Sequence, residues 1–345
     1  MLKLRIHRSI LSLRASWNKL ERNGGNTRSV YQSYRVNAAV KRRMLIYSLS
    51  GRYSVRYVEV LEDGQTQLIL PVCKYHGSNR YCSIGQFNGY QVYDFIYACE
   101  MTPEKMGEYL VFVLRKLQID HISLRNVSES SVLYKYLCTS KEPVAGYRVT
   151  CEGNDNVCID TELSYEIWHS KLSKSVRQNL RTAYNRMKTD GVSMRFEIKR
   201  GEKMKSSLLD EIIALYCKRH SERYQVETSP LKKLYLRYLD FSTACLQRDP
   251  ENFYAAVYMN DQLAAFMAGM VEKDGTSVII PRLSIEDEFS KYSPGMVLIN
   301  ETVRSMTSDM GIRYLDLSKG AEKYKFSMGG QAYQTYHIAV DRHSQ

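Results

Sequence analysis

Three apolar runs follow one another at residues 253–259, 263–271 and 277–283, separated by turns at Asn260-Asp261 and Asp274-Gly275. Short apolar runs punctuated by turn residues predict strands joined by tight connections, here a three-stranded meander. Helices bracket it. Upstream, Leu172, Val176, Leu180, Ala183 and Met187 share one side of a helix over 172–188, which Asp190-Gly191 ends. A strand at 193–199 and helices at 208–220 and 231–247 lead into the meander. Downstream, Ser293-Pro294-Gly295 opens a helix to about residue 310, followed by a strand at 312–317, a short helix and a last strand at 335–340. That order confines the second half to a mixed α/β layer arrangement.

The first half carries a similar mixture. A turn cluster at Asn23-Gly24-Gly25-Asn26 precedes a helix over 29–43, and strands at 54–59 and 67–72 flank a turn at Glu62-Asp63-Gly64. A further strand near 81–84, a helix over 103–118 opened by Pro103 and a strand at 119–124 complete an α/β unit. The polar stretch 151–165 reads as the boundary, which gives domains at 1–155 and 156–345. Residues 1–20 have two readings. Leu2, Ile6, Ile10, Leu13, Trp17 and Leu20 line one side of a helical wheel, as in a membrane-surface helix or organelle presequence. The favoured alternative is a short strand, with Leu2, Leu4 and Ile6 alternating with Lys3 and Arg5, and then a core-facing helix over 10–21.

Charge is concentrated. The formal net charge is +12, yet residues 1–43 carry +10 and residues 171–205 carry +8, so the other 267 residues are net negative. Two patches on an acidic body do not make a duplex-binding footprint, and no DNA partner is expected. No apolar run approaches the ~18–20 residues of a membrane-spanning helix. The eight Cys include no C-x-x-C pair, and the seven His no metal-binding repeat. The expectation is no metal, no disulfide framework and a reducing, cytoplasmic setting.

Four stretches in order resemble the GNAT acyltransferase superfamily, in the branch similar to a cellulose-biosynthesis acetyltransferase. They are Trp168 followed by a basic helix with Ser173, Arg177 and Arg181; Tyr292-Ser293-Pro294-Gly295 ahead of an apolar helix; Tyr314-Leu315-Asp316-Leu317-Ser318-Lys319-Gly320; and Tyr324-Lys325 with Gly329-Gly330 behind it. Weaker likeness in the first half, at Trp17, Leu20, Pro71 and Tyr93-Asp94-Phe95, implies a second, degenerate GNAT-like domain. Each domain is then a twisted mixed sheet flanked by helices.

The resemblance implies an N-acyltransferase in which an amine attacks the thioester of acetyl-CoA or another acyl-CoA. It assigns oxyanion donors to the backbone around Ile280, Arg282 and Leu283, and the pyrophosphate to free N–H groups of Ser293, Gly295, Met296 and Val297. The usual cradle differs here: Lys291 stands one place early, and Met296-Val297 replace a small residue. Tyr324 corresponds to the proton donor for the departing thiolate, and Asp316 and Glu286 are the nearest acids for the base. Arg177 and Arg181, with few acids to pair with, suit an anionic substrate, and Tyr292 and Lys325 complete the expected contacts. His220 reads as structural. The acceptor implied is an amino sugar of surface polysaccharide, met at the inner face of the membrane. The alternatives are a Fem-type aminoacyltransferase drawing on charged tRNA and a non-catalytic binder of anionic polymer. The absence of a sustained heptad pattern argues against the Fem-type insert.

Overall fold

The computed structural model describes residues 1–22, 29–49, 51–87, 89–139, 144–225, 227, 229–238 and 250–343. The chain divides into two compact units, Met1–Asn154 with Gln334–Gln345, and Asp155–Tyr333.

In the first unit, β1 (Leu2–His7), α1 (Arg14–Arg22) and α2 (Tyr34–Leu49) precede β2 (Tyr53–Glu62), β3 (Gln65–Tyr75), β4 (Arg80–Ser83) and β5 (Ile96–Tyr97). Then come α3 (Pro103–Lys116), β6 (His121–Ser128), α4 (Val132–Thr139) and the start of β7 (Tyr147–Asp160). Strand order is β1-β2-β3-β4-β6 with the end of β13 (Gly330–Arg342) outside β6. Only β4–β6 is parallel among these neighbours; β13 returns antiparallel through Thr335 to Asp341. That pairing corrects the expected domain limits, because the closing residues 334–345 fold with the first unit.

The segment opening the chain is strand and helix, not one amphipathic helix. β1 pairs with β2 from Leu2–Glu62 to His7–Tyr57. Ile10, Leu13, Trp17 and Leu20 pack on Tyr57, Ile69 and Ile96, and the Trp17 indole donates to the Gln32 carbonyl at 3.0 Å. Of the apolar side that suggested a membrane-surface helix, Ile10, Leu13, Trp17 and Leu20 are thereby buried in the unit's own core, while Ile6 on β1 stays exposed. The expected absence of disulfides also fails. Cys138, at the end of α4, bonds to Cys151 in β7, with Cα atoms 6.3 Å apart. The partners lie 13 residues apart, a spacing no cysteine motif marks.

The second unit contains α5 (Tyr165–Lys171), α6 (Lys174–Thr189), β8 (Met194–Arg200), α7 (Ser206–Tyr224) and α8 (Pro230–Tyr238). They are followed by β9 (Asn252–Met259), β10 (Gln262–Val271), β11 (Ser277–Ile285), α9 (Pro294–Ser305), β12 (Tyr314–Lys319) and α10 (Lys323–Ser327). Strand order is β7-β12-β11-β10-β9-β8, with β11–β12 parallel. The units divide within the polar stretch read as the boundary, and that stretch is strand as far as Asp160: Asn156 and Cys158–Asp160 pair with β12, since the backbone ladder is indifferent to side-chain polarity. The helix expected over 231–247 is α8 as far as Tyr238; its remainder lies outside the described residues.

The meander is apolar on both faces because helices cover both. Phe253, Ala255, Val257 and Met259 pack with Val176, Leu180, Ala183 and Met187 of α6 and Val297, Leu298 and Val303 of α9. Tyr254, Ala256, Tyr258, Phe266 and Ala268 pack with α7 and α8. Alternation along β9 therefore feeds two cores.

Candidate active site

The site begins where two parallel strands part. β11 and β12 pair at Ser277–Tyr314, Val278–Leu315 and Ile279–Asp316; β11 then continues against β10 to Ile285, while β12 runs on to Lys319. Both strands carry a device that separates them. On β11, Met270 faces Ile279 and Ala268 faces Arg282, so Ile280 and Pro281 bulge opposite Gly269. A Cβ at Gly269 would lie 1.8 Å from the Ile279 carbonyl oxygen, so only glycine admits this approach. On β12 the ladder to β7 shifts between Asp316 and Lys319, and Ser318 turns left-handed with φ 57°. The Lys325 ammonium, buried, holds the curl by donating to the carbonyls of Ser318 (3.2 Å), Lys319 (2.9 Å) and Gly320 (3.0 Å). It also pairs with Glu322 at 3.0 Å.

The gap opens onto a cleft of about 1120 Å³ lined by Leu283, Ser284 and Ile285 of β11, Tyr216, Arg219 and His220 of α7, the start of α9 and Tyr324 of α10. Backbone donors face it. The Glu286 N–H bonds the Ala264 carbonyl, which puts Leu283–Met267 and Ile285–Ala265 in non-hydrogen-bonded pairs. The N–H and C=O groups of Leu283 and Ile285 therefore point away from β10, towards the gap. Of the three oxyanion candidates, Leu283 alone is so placed. Ile280 lies in the bulge with its side chain in the core. Arg282 turns its backbone to β10 and its guanidinium over the Tyr216 ring at 4.9 Å, on the α7 side.

α9 starts at the cleft with Ser293 in a left-handed conformation, φ 50° and ψ 53°. The expected cradle is narrower than its sequence suggests. Ser293 N–H donates to Ser290 O, and Met296 and Val297 N–H both donate to Ser293 O. Pro294 has no N–H, so the Gly295 N–H is left to meet a ligand, helped by the helix dipole. Ser293, Gly295 and Met296 line the cleft, whereas Val297 is buried in the core.

Tyr324, 37% exposed, stands in the cleft wall; burial and then Glu322 push its hydroxyl up to about 12, so it holds its proton at neutral pH. His220 was read as structural, yet it lines the cleft. Its imidazole lies 3.1 Å from the Lys232 ammonium, and burial, then Lys232 and Arg282, lower its pKa. A neutral imidazole in the cleft is a competent proton acceptor. No sequence motif marks this residue; only its place on α7 does.

Other expected contacts are used within the fold. Lys325 is the clamp described above, and its sequestered ammonium is not available to substrate. Tyr292 is buried, its hydroxyl donating to Asp190 at 2.8 Å to tie the end of α6 to the turn before α9. Arg177 donates to the Ser170 carbonyl at 2.8 Å, and neither it nor Arg181 lines the cleft, because α6 lies on the opposite face of the sheet from α7. Glu286 pairs with Lys218 at 2.5 Å; burial works most strongly against its ionisation, but the Lys218 hydrogen bond and charge, together with backbone hydrogen bonds from Glu288 and Asp287, outweigh it and its pKa is lowered. Asp316 is buried outside the cleft lining, accepting from Ser318 N–H at 2.7 Å and the Tyr333 hydroxyl at 2.5 Å. Burial raises its pKa to about 6. Trp168 explains the first motif: its indole donates to the Met328 carbonyl at 3.1 Å, fixing the turn that follows α10 and so the placement of Tyr324.

Residues 174–326 match the family model for an acetyltransferase (GNAT) domain. No curated protein matches the chain in sequence. Solved structures of similar fold include FemX, at 10% identity and a TM-score of 0.61, with 98% of this chain and 96% of that one covered. Another is a tandem GNAT protein from the clavulanic acid biosynthesis pathway, at 9% identity and 0.53, with 100% of both chains covered. L-PGS from Bacillus licheniformis is a third, at 11% identity and 0.52, covering 96% and 91%. At these identities the likeness is one of fold, a mixed α/β architecture shared with tandem GNAT proteins. Residues 174–326 thus form a GNAT acetyltransferase domain, and the protein is an acyltransferase.

Proposed function

We propose that the cleft between β11 and β12 carries out N-acylation of an amine by an acyl-CoA, acetyl-CoA being the first donor to test. The observation that carries this reading is the parting of the two strands after Ile279 and Asp316, which leaves the Leu283 and Ile285 backbone facing the gap. A thioester carbonyl lying along β11 meets an N–H donor where negative charge develops during attack. The amine nitrogen forms the new C–N bond as the C–S bond breaks. His220 accepts the proton the amine loses, and Tyr324 supplies one to the departing thiolate. The Gly295 N–H and the dipole of α9 offer a place for a phosphate of the donor. The acceptor class, an amino sugar of surface polysaccharide met at the cytoplasmic face of a membrane, rests on the cellulose-biosynthesis-like resemblance of the motifs.

A second reading has its own support. The first turn of α9 spends its Met296 and Val297 N–H groups on Ser293 O, a poor provision for a pyrophosphate and a reason to test aminoacyl-tRNA as donor. One experiment separates the two. Incubation with a panel of acyl-CoAs, followed by thermal stability and free thiol release, should reveal a donor: a ligand at about 100 times its Kd adds roughly 2.7 kcal/mol. Absence of any shift or thiol release across the panel would turn the assignment to aminoacyl-tRNA.

A further inference from the structure

A second polar cleft lies in the first unit, away from any residue assigned above. It measures about 650 Å³ and forms at the end of the sheet where β2, β3 and β4 meet the turn joining the last two. Arg56, Lys74 and Arg80 line it, with Ser54, Asn79 and Asp120 among the polar groups around them. The register explains the grouping. Ser54 pairs with Lys74 and Arg56 with Val72, so β2 and β3 bring Arg56 and Lys74 to one face, and Arg80 joins the lining from the first position of β4, beside the turn. The same face is apolar further along, at Val58, Val60, Leu70 and Val72, where it is buried.

These cations have no carboxylate partner among the described residues. The one acid in the lining, Asp120, is paired with Arg342 at 3.2 Å. Arg56 is half-buried and oriented by donating to the Val55 carbonyl at 3.0 Å; burial, then the nearby charge of Arg8, lowers its pKa. Lys74 sits over the Tyr81 ring at 5.7 Å, which leaves its hydrogen-bond donors unspent. His76 also lines the cleft. Like charges gathered in a concave, partly desolvated site repel one another unless an anion joins them. The position differs from that of the acyl-transfer cleft. β4 and β6 pair in parallel from Arg80–His121, so this cleft lies at the starting end of those parallel strands, whereas the gap in the second unit opens at the far end of β11 and β12.

We infer that this basic cleft binds a phosphoryl-bearing ligand, with Arg56, Lys74 and Arg80 as its anion contacts. A pyrophosphate group matches three converging cations better than a single carboxylate, since it presents several acceptor oxygens at once. Such a group could belong to a free phosphate ester or to a lipid headgroup, and the two sources are separable.

The test is calorimetric titration of the full chain with inorganic pyrophosphate, alongside co-sedimentation with vesicles of phosphatidylglycerol or of phosphatidylcholine. Saturable pyrophosphate binding should weaken at least tenfold in Lys74→Gln and in Arg80→Gln, and weaken with added salt. Arg181→Gln, a cation on the α6 stripe, should leave it unchanged. The half-exposed Lys74 and exposed Arg80 keep the test open if Arg56→Gln does not fold. Sedimentation with phosphatidylglycerol alone, lost in the same variants, assigns the site to a headgroup; pyrophosphate binding without it assigns a free ester. No saturable binding in either arm, or equal loss in Arg181→Gln, would overturn the inference.

Discussion

Asp316→Asn should change the pH dependence of stability in a calculable way. The carboxyl is buried, and its pKa rises from 3.8 to about 6 mainly because the ionised form is desolvated; the Tyr333 and Ser318 hydrogen bonds and the Lys325 charge offset part of that cost. A raised folded-state pKa means that the unfolded chain releases this proton first. Below about pH 4 both states hold it and the group costs nothing; between about 4 and 6 only the folded state holds it, so stability falls as pH rises. At roughly 1.4 kcal/mol per pKa unit the loss is about 3 kcal/mol, complete once the pH exceeds the folded-state value. Asparagine cannot ionise, and its amide oxygen can still accept from Ser318 or Tyr333. Urea unfolding of both proteins at pH 4, 5, 6 and 7, followed by tryptophan fluorescence, gives the stability difference at each pH. That difference should move by about 3 kcal/mol in favour of the variant between pH 4 and pH 7. A difference independent of pH would refute the assignment of a buried carboxyl with a raised pKa.

Four further outcomes are expected. Tyr324→Phe should lower kcat for acyl transfer about 100-fold with little change in donor KM, because the hydroxyl acts on the leaving group; steady-state kinetics with each substrate varied checks this. His220→Gln should remove the acidic limb of the rate profile, which in the parent rises through a pKa below 6.5 as the imidazole loses its proton. Gly269→Ala should destabilise the second unit by at least about 3 kcal/mol in chemical denaturation, since a Cβ there meets the Ile279 carbonyl oxygen inside a paired strand. Reducing Cys138–Cys151 should cost the first unit about 3 kcal/mol, given its short loop, as read by the shift in melting temperature with dithiothreitol.

Where the determining signal was local, it could be read along the chain. The apolar stripe of α6, the Asn260-Asp261 and Asp274-Gly275 turns of the meander and Pro103 at the head of α3 each act within a few residues of themselves, so periodicity and turn chemistry sufficed. The start of α9 at the cleft was legible for the same reason, because Ser293-Pro294-Gly295 opens a helix. The fate of its N–H groups was not. It depends on the left-handed conformation of Ser293, which leaves Gly295 alone with a free donor. The polar stretch before Asp160 holds the boundary between the two units, but its strand character was not legible, because a strand in a ladder needs only its backbone.

Charged and aromatic residues were the least legible, since their roles are set by partners far away in sequence. Lys325 and Tyr292 looked like substrate contacts and are taken up by the carbonyls after β12 and by Asp190; His220 looked structural and faces the cleft. Sequence alone determined the helices around the three-stranded meander, its strands and turns, and the family motifs, because hydrophobic periodicity and turn chemistry are properties of the chain itself. Tertiary structure alone decided where β11 leaves β12, which cations remain unpaired and which N–H groups stay free. Those outcomes depend on long-range pairing of backbone and charge, which no local pattern encodes.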